Sequence, residues 1–277
     1  MSIVYINGEY CEKSEAKISI NDRGFKYGDG VFETFSFYNQ KIYQPAAHFS
    51  RLMESLKSTK IQYDISNIES ITLDLIKRNN LTDGLGRISI TRGEGGRGYL
   101  PAENCKPSII MEVMNRPNMK ITIADLWLSS YEKIPPRALP VHAKMMQGMN
   151  STLAKMEANE NGCFDALLLG SEGQICETSS GNIFWIKGEK LYTPSLDSGI
   201  LAGTTRDIII KLSPFEVVEG RYNLQDLSQA DEAFITNVAI KILPIANLKP
   251  SGKNYTIGSK TEQIRELLEQ NIREKTA

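Results

Sequence analysis

Lys144 is the residue whose surroundings point most directly to covalent chemistry. It lies in the mostly apolar stretch His142–Met149 and is the only formally charged residue between Arg137 and Lys155. Apolar surroundings disfavour an ammonium ion and lower the pKa of a lysine, which makes it an amine nucleophile able to form a Schiff base. The structural alternative for this residue, taken alone, is a lysine that extends from a strand end to solvent.

Two later segments supply groups that complement such a lysine. Glu177 precedes a turn of small residues that leads into the apolar segment Ile183–Ile186. A carboxylate at that position is either a surface charge or a group that holds a proton on a heterocyclic nitrogen. Gly199–Arg206 is typical of a loop that enters a helix, where free backbone N–H groups and the hydroxyls of Thr204 and Thr205 form an anion site. A lysine, a carboxylate and a phosphate cradle, in this order, form a meaningful combination.

The segment Gly93–Gly98 matches the pattern G-x-G-x-x-G after a predicted strand. A dinucleotide site also needs a helix that begins at the last glycine, whereas Tyr99-Leu100-Pro101 follows here. We therefore reject a dinucleotide site and interpret the segment as a flexible loop that presents Arg97 and Tyr99. Arg97 is suited to pair with a carboxylate. A solvated turn is the alternative from this loop alone.

Periodicity along the first half predicts the elements that must position these residues. Asn7-Gly8 between alternating residues indicates a β-hairpin, and apolar residues at helical spacing predict two helices. The predicted helices are 45–60 and 68–78, and the predicted strands are 87–91, 108–114 and 121–126. The polar, proline-containing segment 115–120 is the candidate linker. We therefore expect a domain over 1–115, a linker over 116–120 and a domain over 121–277.

The second half continues the alternation of strands and helices. A short strand is predicted near Val141, followed by a helix over 151–161 with Ser151 as its N-cap and Gly162 just beyond its C-terminus. Further strands are predicted at 165–169, 182–187 and 232–237, and further helices at 204–212 and 261–274. The sequence thus predicts two α/β halves in which strands outnumber helices.

The composition excludes several classes of protein. The 277 residues include 32 Lys and Arg against 33 Asp and Glu, so no basic excess is present to neutralise a nucleic acid or an anionic membrane. No stretch approaches the roughly 18 apolar residues of a membrane helix, and the N-terminus lacks the apolar core of a signal peptide. The four cysteines are scattered, which disfavours a metal site and predicts reduced thiols in the cytoplasm. His48 has no acidic or cysteine partner nearby in the sequence.

Taken together, these segments resemble the class IV aminotransferases, the fold-type IV family of pyridoxal-phosphate enzymes. The resemblance begins at Asp22–Thr34 (DRGFKYGDGVFET) and includes Lys144 and Glu177–Phe184. Further matching segments are His48–Leu52, Asn150–Ala158, Tyr192–Pro194, Gly199–Arg206 and Ala230–Asn237. The resemblance implies an α/β (α+β) fold with a small N-terminal α/β domain and a larger, β-rich C-terminal domain that binds the cofactor.

The resemblance also implies roles by position. Lys144 is expected to bind pyridoxal 5'-phosphate covalently and to move protons, and Glu177 to keep the pyridine nitrogen protonated so that the ring accepts electrons. The other residues expected to bind the cofactor are Arg51, Thr204, Thr205 and Asn237. Thr34 is expected to be catalytic. The residues expected to bind the substrate are Lys26, Phe32, Arg87, Arg97 and Tyr99.

Family members are dimers with shared active sites, which implies a homodimer in which Arg97 reaches across from the partner chain. Within the family, the motifs favour the 4-amino-4-deoxychorismate lyases, which release pyruvate from their substrate and form 4-aminobenzoate. Gly95–Tyr99, Thr34 and Thr236-Asn237 are closest to that group. One departure is Gln147, which replaces the asparagine usual three residues after the lysine.

The alternative is a D-amino-acid or broad-specificity aminotransferase, which moves an amino group between an amino acid and a 2-keto acid. Arg97 stands where D-amino-acid aminotransferases keep a carboxylate-binding arginine, and Tyr99 replaces their histidine. Met149 stands where branched-chain aminotransferases carry a tyrosine. The candidate carboxylate-binding residues of an aminotransferase are Lys26, Arg87, Arg92 and Arg97. A non-catalytic cofactor-binding relative is the third hypothesis.

Overall fold

The computed structural model describes residues 2–277 and divides the chain into two compact units. Unit 1 contains the chain up to Pro117, together with Ala143–Gln147 and Glu274–Ala277. Unit 2 contains Asn118–His142 and Gly148–Arg273. Among the described residues, no helix is both long enough and apolar enough to cross a membrane.

Unit 1 is built on a six-stranded antiparallel sheet with the strand order β2-β1-β6-β5-β3-β4. Its elements are β1 (Ile3–Ile6), β2 (Glu9–Glu12), α1 (Arg23–Tyr27), β3 (Gly30–Tyr38), β4 (Lys41–Ile42), α2 (Pro45–Ser58), α3 (Ile68–Arg78), β5 (Gly84–Glu94) and β6 (Lys106–Met114). The predicted hairpin is confirmed, because Asn7 and Gly8 adopt the positive φ angles, 49° and 104°, that suit a two-residue turn between β1 and β2.

Alternation along β3 and β5 gives this sheet two different faces. Val31 and Phe35 on β3 and Ile88 on β5 are buried in a core that includes Leu52 of α2 and Leu75 of α3. Phe32 and Thr34 on β3, and Arg87 opposite Thr34 on β5, point the other way and are half-buried. The first face holds the unit together, and the second, here called the open face, is available for chemistry.

The segment that carries Lys144 belongs to unit 1, whereas the sequence analysis places it in a domain over 121–277. The N–H of Phe32 donates to the carbonyl of Lys144 at 2.9 Å, and the N–H of Met146 donates to the carbonyl of Gly30 at 2.9 Å. These bonds attach the segment to the edge of β3. Because the paired residues are far apart in the chain, no local pattern in the sequence indicates this attachment.

Unit 2 is built on a nine-stranded mixed sheet. Its elements are β7 (Ala124–Leu128), α4 (Met149–Glu160), β8 (Asp165–Leu169), β9 (Ile175–Thr178), β10 (Asn182–Lys187), β11 (Lys190–Pro194), α5 (Thr204–Leu212), β12 (Glu216–Gly220), α6 (Leu224–Ser228), β13 (Glu232–Asn237), β14 (Lys241–Lys249), β15 (Lys253–Asn254) and α7 (Ser259–Thr276), whose last turn belongs to unit 1. The strand order is β12-β11-β10-β13-β14-β7-β8-β9, and β15 pairs with β14.

The predicted bounds of α3, β8, β10, β13 and α5 are confirmed, and two other predictions are wrong. Helix α4 begins at Met149 with Gly148 as its N-cap, because the carbonyl of Gly148 accepts the first helical hydrogen bond; Ser151 is therefore not the N-cap. The predicted strand near Val141 is absent from the structure, where Val141 lies in a turn and a single β-bridge forms at Met145. The apolar residues just after Val141, at 143–147, form no strand of their own and are attached to β3.

Candidate active site

Two hydrogen bonds and one aromatic ring set the position of Lys144 in unit 1. Its N–H donates to Oγ of Ser55 on α2 at 3.0 Å, while its carbonyl accepts from Phe32 on β3. Its Nζ lies 4.4 Å from the centroid of the Phe32 ring. Lys144 is half-buried. The backbone is thus fixed on both sides, and the amine lies against an apolar surface, as a Schiff-base lysine requires.

The open face gathers further predicted residues around Phe32. The guanidinium carbon of Arg87 lies 4.1 Å from the centroid of the same ring. Thr34 pairs directly with Arg87 across β3 and β5, and both are half-buried. Burial lowers the pKa of Arg87. Its hydrogen bond to Ser89 is long, at 3.4 Å, and its cross-strand neighbour on β6, Glu112, forms an ion pair with Lys13. Such a guanidinium is suited to bind an anion.

Arg51, the predicted phosphate ligand, is held by a buried carboxylate on β3. Its Nε donates to Oε2 of Glu33 at 3.0 Å, and Nδ1 of His48 lies 2.9 Å from Oε1 of the same group. Burial alone raises the pKa of Glu33, but the hydrogen bond from His48 and the charge of Arg51 lower the pKa to about 2. His48 therefore has an acidic partner that its neighbours in the sequence do not reveal, and Glu33 fixes the guanidinium of Arg51.

The glycine-rich loop after β5 presents the two residues predicted to bind a substrate carboxylate. As predicted, no helix begins at the end of the loop, and the chain continues into β6. Arg97 and Tyr99 are exposed, and the ring centroid of Tyr99 lies 5.6 Å from that of Tyr27. Lys26 is also exposed and donates to the side chain of Asn21 at 2.9 Å. These side chains lie at the surface of unit 1, away from its core.

Arg92 differs from the other cationic candidates because all three of its nitrogens bond to the protein. Its Nε donates to Asp29 at 2.8 Å, and Nη1 and Nη2 donate to the carbonyls of Lys60 and Thr59 at 2.9 and 2.8 Å. Arg92 thus ties β5 to the end of α2. Its three nitrogens are therefore engaged within unit 1, which does not favour the predicted role of Arg92 in binding a substrate carboxylate.

In unit 2, Glu177 is buried on β9 and has partners on both oxygens. Its Oε1 lies 2.6 Å from Nζ of Lys133, and its Oε2 accepts from Nδ2 of Asn182 and from the N–H of Leu201, both at 3.2 Å. Each carboxylate oxygen has two lone pairs, so the group can accept one more N–H. Glu177 therefore fits a partner such as a protonated ring nitrogen. Lys133 is not among the predicted site residues, because no local pattern in the sequence connects it with Glu177.

The N-terminus of α5 has the features of the predicted phosphate cradle. Its N-cap is Gly203, which has no side chain to bond the first N–H groups of the helix. The hydroxyl oxygen of Thr204 is buried and has no hydrogen-bond partner among the described residues, and Thr205 is half-buried beside it. A buried hydroxyl without a partner is costly. A phosphate oxygen at this helix end satisfies it, so these residues fit the group.

Asn237, at the end of β13, has both ends of its side-chain amide engaged within unit 2. Its Nδ2 donates to the carbonyl of Ser180 at 3.0 Å, and its Oδ1 accepts from the N–H groups of Ala239 and Ile240 at 2.8 and 2.9 Å. The side chain thus ties the turn after β13 to the turn after β9. Its role in cofactor binding stays a prediction.

Comparison with known proteins identifies the family. Residues 30–248 match the family described as Amino-transferase class IV. A protein of Methanocaldococcus jannaschii named as a branched-chain-amino-acid aminotransferase is 35% identical over 95% of this chain and 94% of its own. Aminodeoxychorismate lyase of Bacillus subtilis is 31% identical over 98% of this chain and 95% of its own. The crystal structure of branched-chain amino acid aminotransferase from Escherichia coli matches with a TM-score of 0.93 at 26% identity, covering 100% of this chain and 96% of that one.

The chain therefore belongs to the class IV aminotransferase family and is a pyridoxal-phosphate-dependent enzyme with the two-domain fold of fold type IV. When bound, the cofactor supplies a ring that accepts electrons from a substrate carbon. The residues predicted to bind it lie in both units: Lys144 and Arg51 in unit 1, and Glu177, Thr204 and Thr205 in unit 2.

Proposed function

We propose that the protein is a 4-amino-4-deoxychorismate lyase. The observation that carries the proposal is the position of Thr34, which stands on the open face two residues from Phe32 and opposite Arg87. The amine of Lys144 lies against the same Phe32 ring. An amine and a hydroxyl on one surface suit an elimination, in which one group removes a proton and another delivers one. The 31% identity to the Bacillus subtilis lyase over nearly the whole chain supports the same reaction.

The reaction breaks one C–H bond and one C–O bond of the substrate. Lys144 acts as the general base and removes the proton from the ring carbon that bears the amine. The C–O bond at the neighbouring carbon then breaks, and the departing enolpyruvate gains a proton through Thr34 or a water that Thr34 orients. Pyruvate leaves, and the remaining ring is aromatic 4-aminobenzoate. The reaction consumes no keto acid.

Substrate recognition requires cations, because aminodeoxychorismate carries two carboxylates. Arg87 lies on the open face beside Lys144, and Arg97 extends from the loop after β5. Both guanidinium groups can grip a carboxylate with two parallel hydrogen bonds. Phe32 and Tyr99 supply aromatic surface, and Lys26 stays a further candidate for a carboxylate contact.

The test is release of 4-aminobenzoate from freshly made aminodeoxychorismate by the holoenzyme, without any keto acid. Wild-type protein is expected to turn over. Thr34→Val, which keeps the shape of the side chain, is expected to lower kcat about 100-fold while the cofactor absorbance stays unchanged. Thr82→Val, at an exposed threonine of unit 1, is the matched control. Absence of product with wild-type protein would refute the lyase, and an unchanged rate for Thr34→Val would refute the role of Thr34.

An aminotransferase, acting on D-amino acids or with broad specificity, is the second candidate. The 35% identity to the Methanocaldococcus jannaschii protein favours it. An aminotransferase consumes one keto acid in every turnover, whereas a lyase consumes none. Formation of pyruvate from D-alanine, or of 2-oxoisocaproate from leucine, only in the presence of 2-oxoglutarate would identify this activity.

We also propose that the enzyme is a homodimer in the cytoplasm. Large apolar side chains are exposed along unit 1, with Ile20 and Phe25 about three-quarters exposed and Tyr99 and Leu100 more so. Such surface is typical of an interface between copies. The four cysteines are free thiols, which suits a reducing compartment. Light scattering coupled to gel filtration tests the dimer, and a monomeric mass would contradict it.

A further inference from the structure

Arg23, the first residue of α1, is a buried arginine whose bonds converge on the glycine-rich loop. It is 3% exposed. Its Nη1 donates to the carbonyls of Gly95 and Gly98 at 3.3 and 3.1 Å, and its Nη2 donates to the carbonyl of Tyr99 at 2.9 Å. One guanidinium thus binds three carbonyls on both sides of Arg97.

The loop leaves the regular pairing of the sheet and folds back on itself, with Gly96 close to the backbone of Leu100 and Ala102. Pairing between β5 and β6 becomes irregular beyond Thr91. The glycines of the loop, at 93, 95, 96 and 98, all have positive φ angles, and glycine has more backbone freedom to lose than any other residue. Without an external anchor, the loop has many conformations available to it. Arg23 supplies that anchor through a rigid, planar fork of donors.

The Nε of Arg23 is engaged outside the loop, by a carboxylate that Arg23 shares with Arg92. Its Nε donates to Asp29 at 2.8 Å, and Arg92 donates to the same oxygen at 2.8 Å. Burial raises the pKa of Asp29, but the hydrogen bonds from Arg92 and Arg23 lower it, with a net shift downward. The guanidinium of Arg23 also lies 4.9 Å from the ring of Tyr27, which in turn contacts Tyr99. The remaining N–H groups are therefore directed at the loop carbonyls.

We propose that Arg23 is a positioning residue: it fixes the loop Gly95–Tyr99 so that Arg97 and Tyr99 are presented to a carboxylate of the substrate. This inference rests on the proposed function, in which Arg97 binds that carboxylate. Arg23 itself does not touch the substrate. Its effect is exerted through the loop, and it therefore acts on substrate binding rather than on the chemical step.

The chain offers a matched control in Arg92. Both arginines donate to Asp29, but Arg92 bonds to the carbonyls of Thr59 and Lys60 instead of the loop. Arg23→Gln and Arg92→Gln therefore remove the same kind of ion pair, and only the first releases the loop. Arg23→Lys keeps the charge beside Asp29 but loses the fork, which separates charge from geometry.

The experiment is a double-mutant cycle on the holoenzyme, with aminodeoxychorismate as substrate, or D-alanine and 2-oxoglutarate if the lyase assay gives no product. Arg23→Gln is expected to raise KM about tenfold with kcat changed less than about twofold. Arg23→Lys should retain most of that effect, and Arg92→Gln should show none. In an Arg97→Ala background, Arg23→Gln should raise KM by much less, because only Tyr99 then remains for Arg23 to position.

Hydrogen exchange of the peptide that covers residues 93–101 supplies a readout independent of activity. Exchange there should accelerate in Arg23→Gln and stay at the wild-type rate in Arg92→Gln and Arg97→Ala. Unchanged exchange in Arg23→Gln, or an equal rise in KM with and without Arg97, would overturn the inference. If Arg97→Ala alone leaves KM unchanged, the proposed role of Arg97 fails, while the exchange data still decide whether Arg23 holds the loop.

Discussion

Ser55 joins the lysine segment to the helix that carries Arg51. The N–H of Lys144 donates to Oγ of Ser55 at 3.0 Å, and that hydroxyl donates to the carbonyl of Arg51 at 2.8 Å. Ser55 is completely buried. One hydroxyl thus fixes the residue expected to bind the cofactor covalently relative to the residue expected to bind its phosphate, and both lie in unit 1.

Ser55→Ala should weaken cofactor binding. The N–H of the half-buried Lys144 loses its acceptor, which costs about 1 kcal/mol or more and frees the lysine backbone. We expect pyridoxal-phosphate affinity, measured by absorbance titration, to fall about tenfold. Thr72→Val is the control, because Thr72 is equally buried in unit 1 and donates to Ile68 within α3. Equal loss of affinity in both variants would show that the Ser55–Lys144 bond has no special role.

Glu33 should make part of the stability of the enzyme sensitive to acid. Its pKa is lowered from 4.5 to about 2 in the folded protein, so its contribution is complete above pH 4.5 and is lost as the pH falls toward 2. In that window the unfolded state binds more protons, and stability falls by up to about 1.4 kcal/mol per pH unit. Glu33→Gln should remove this component of the slope when unfolding by urea is measured between pH 5 and 3.

Asp64 provides the comparison for this acid sensitivity. Hydrogen bonds from Ser66 lower the pKa of Asp64, but its carboxylate is exposed. Asp64→Asn should therefore change the slope much less than Glu33→Gln does. The same slope in wild-type protein and Glu33→Gln would contradict the assigned role of the Glu33–His48–Arg51 cluster.

Gly203→Ala should disturb the N-terminus of α5 and the contacts of Glu177 together. A Cβ at Gly203 would overlap Oδ1 of Asn182, whose Nδ2 donates to Glu177 and to the carbonyl of Leu201. Because Asn182 is buried, it can move only by breaking those bonds. We expect pyridoxal-phosphate affinity to fall about tenfold or more.

Gly170→Ala is the matched control for this steric argument. A Cβ at Gly170 would overlap only the end of the Gln174 side chain, which is half-buried and can move at the cost of one hydrogen bond from the exposed Glu172. Affinity should therefore be nearly unchanged. An unaffected Gly203→Ala variant would show that Asn182 does not link the N-terminus of α5 to Glu177.

Lys133→Met should destabilise unit 2 by leaving the buried Glu177 without its cationic partner. Removal of one member of a largely buried ion pair costs about 3 kcal/mol or more. Lys211→Met breaks an exposed pair with Asp207 and should cost less than about 0.5 kcal/mol. Urea unfolding measures both. A second substitution, Glu177→Gln, should recover part of the stability lost in Lys133→Met. If it recovers none, the loss does not come from the unpaired charge of Glu177.

The sequence predicted the elements whose information is local. Helices α3 and α5 have clear apolar periodicity, and the Asn7-Gly8 turn has one dominant conformation, so their bounds agree with the structure. The start of α4 was mispredicted because Ser151 has the type preferred at an N-cap, whereas the chain already turns at Gly148. Local preference indicates an element, but tertiary contacts decide its ends.

Contacts between residues that are far apart in the chain could not be predicted from local sequence patterns. Glu33 and His48 are in contact because β3 packs against α2. Lys133, in the loop after β7, forms an ion pair with Glu177 on β9. Arg23 stood inside a segment that resembles the family signature, yet its three carbonyl contacts depend on the path of the loop after β5. The residue types that carry the chemistry were visible in the sequence, and the residues that hold them in place were not.

The attachment of residues 143–147 to β3 has a consequence for synthesis on the ribosome. β3 pairs with β5 along its length, but on its other side β4 pairs only with its C-terminal end. The edge at Gly30–Phe32 is therefore unpaired until the Lys144 segment binds to it. A nascent chain that has not yet emerged to residue 147 exposes this edge, and open strand edges invite aggregation. The step that covers the edge also brings Lys144, the lysine expected to form the Schiff base, into place, so protection from aggregation and placement of the amine occur together.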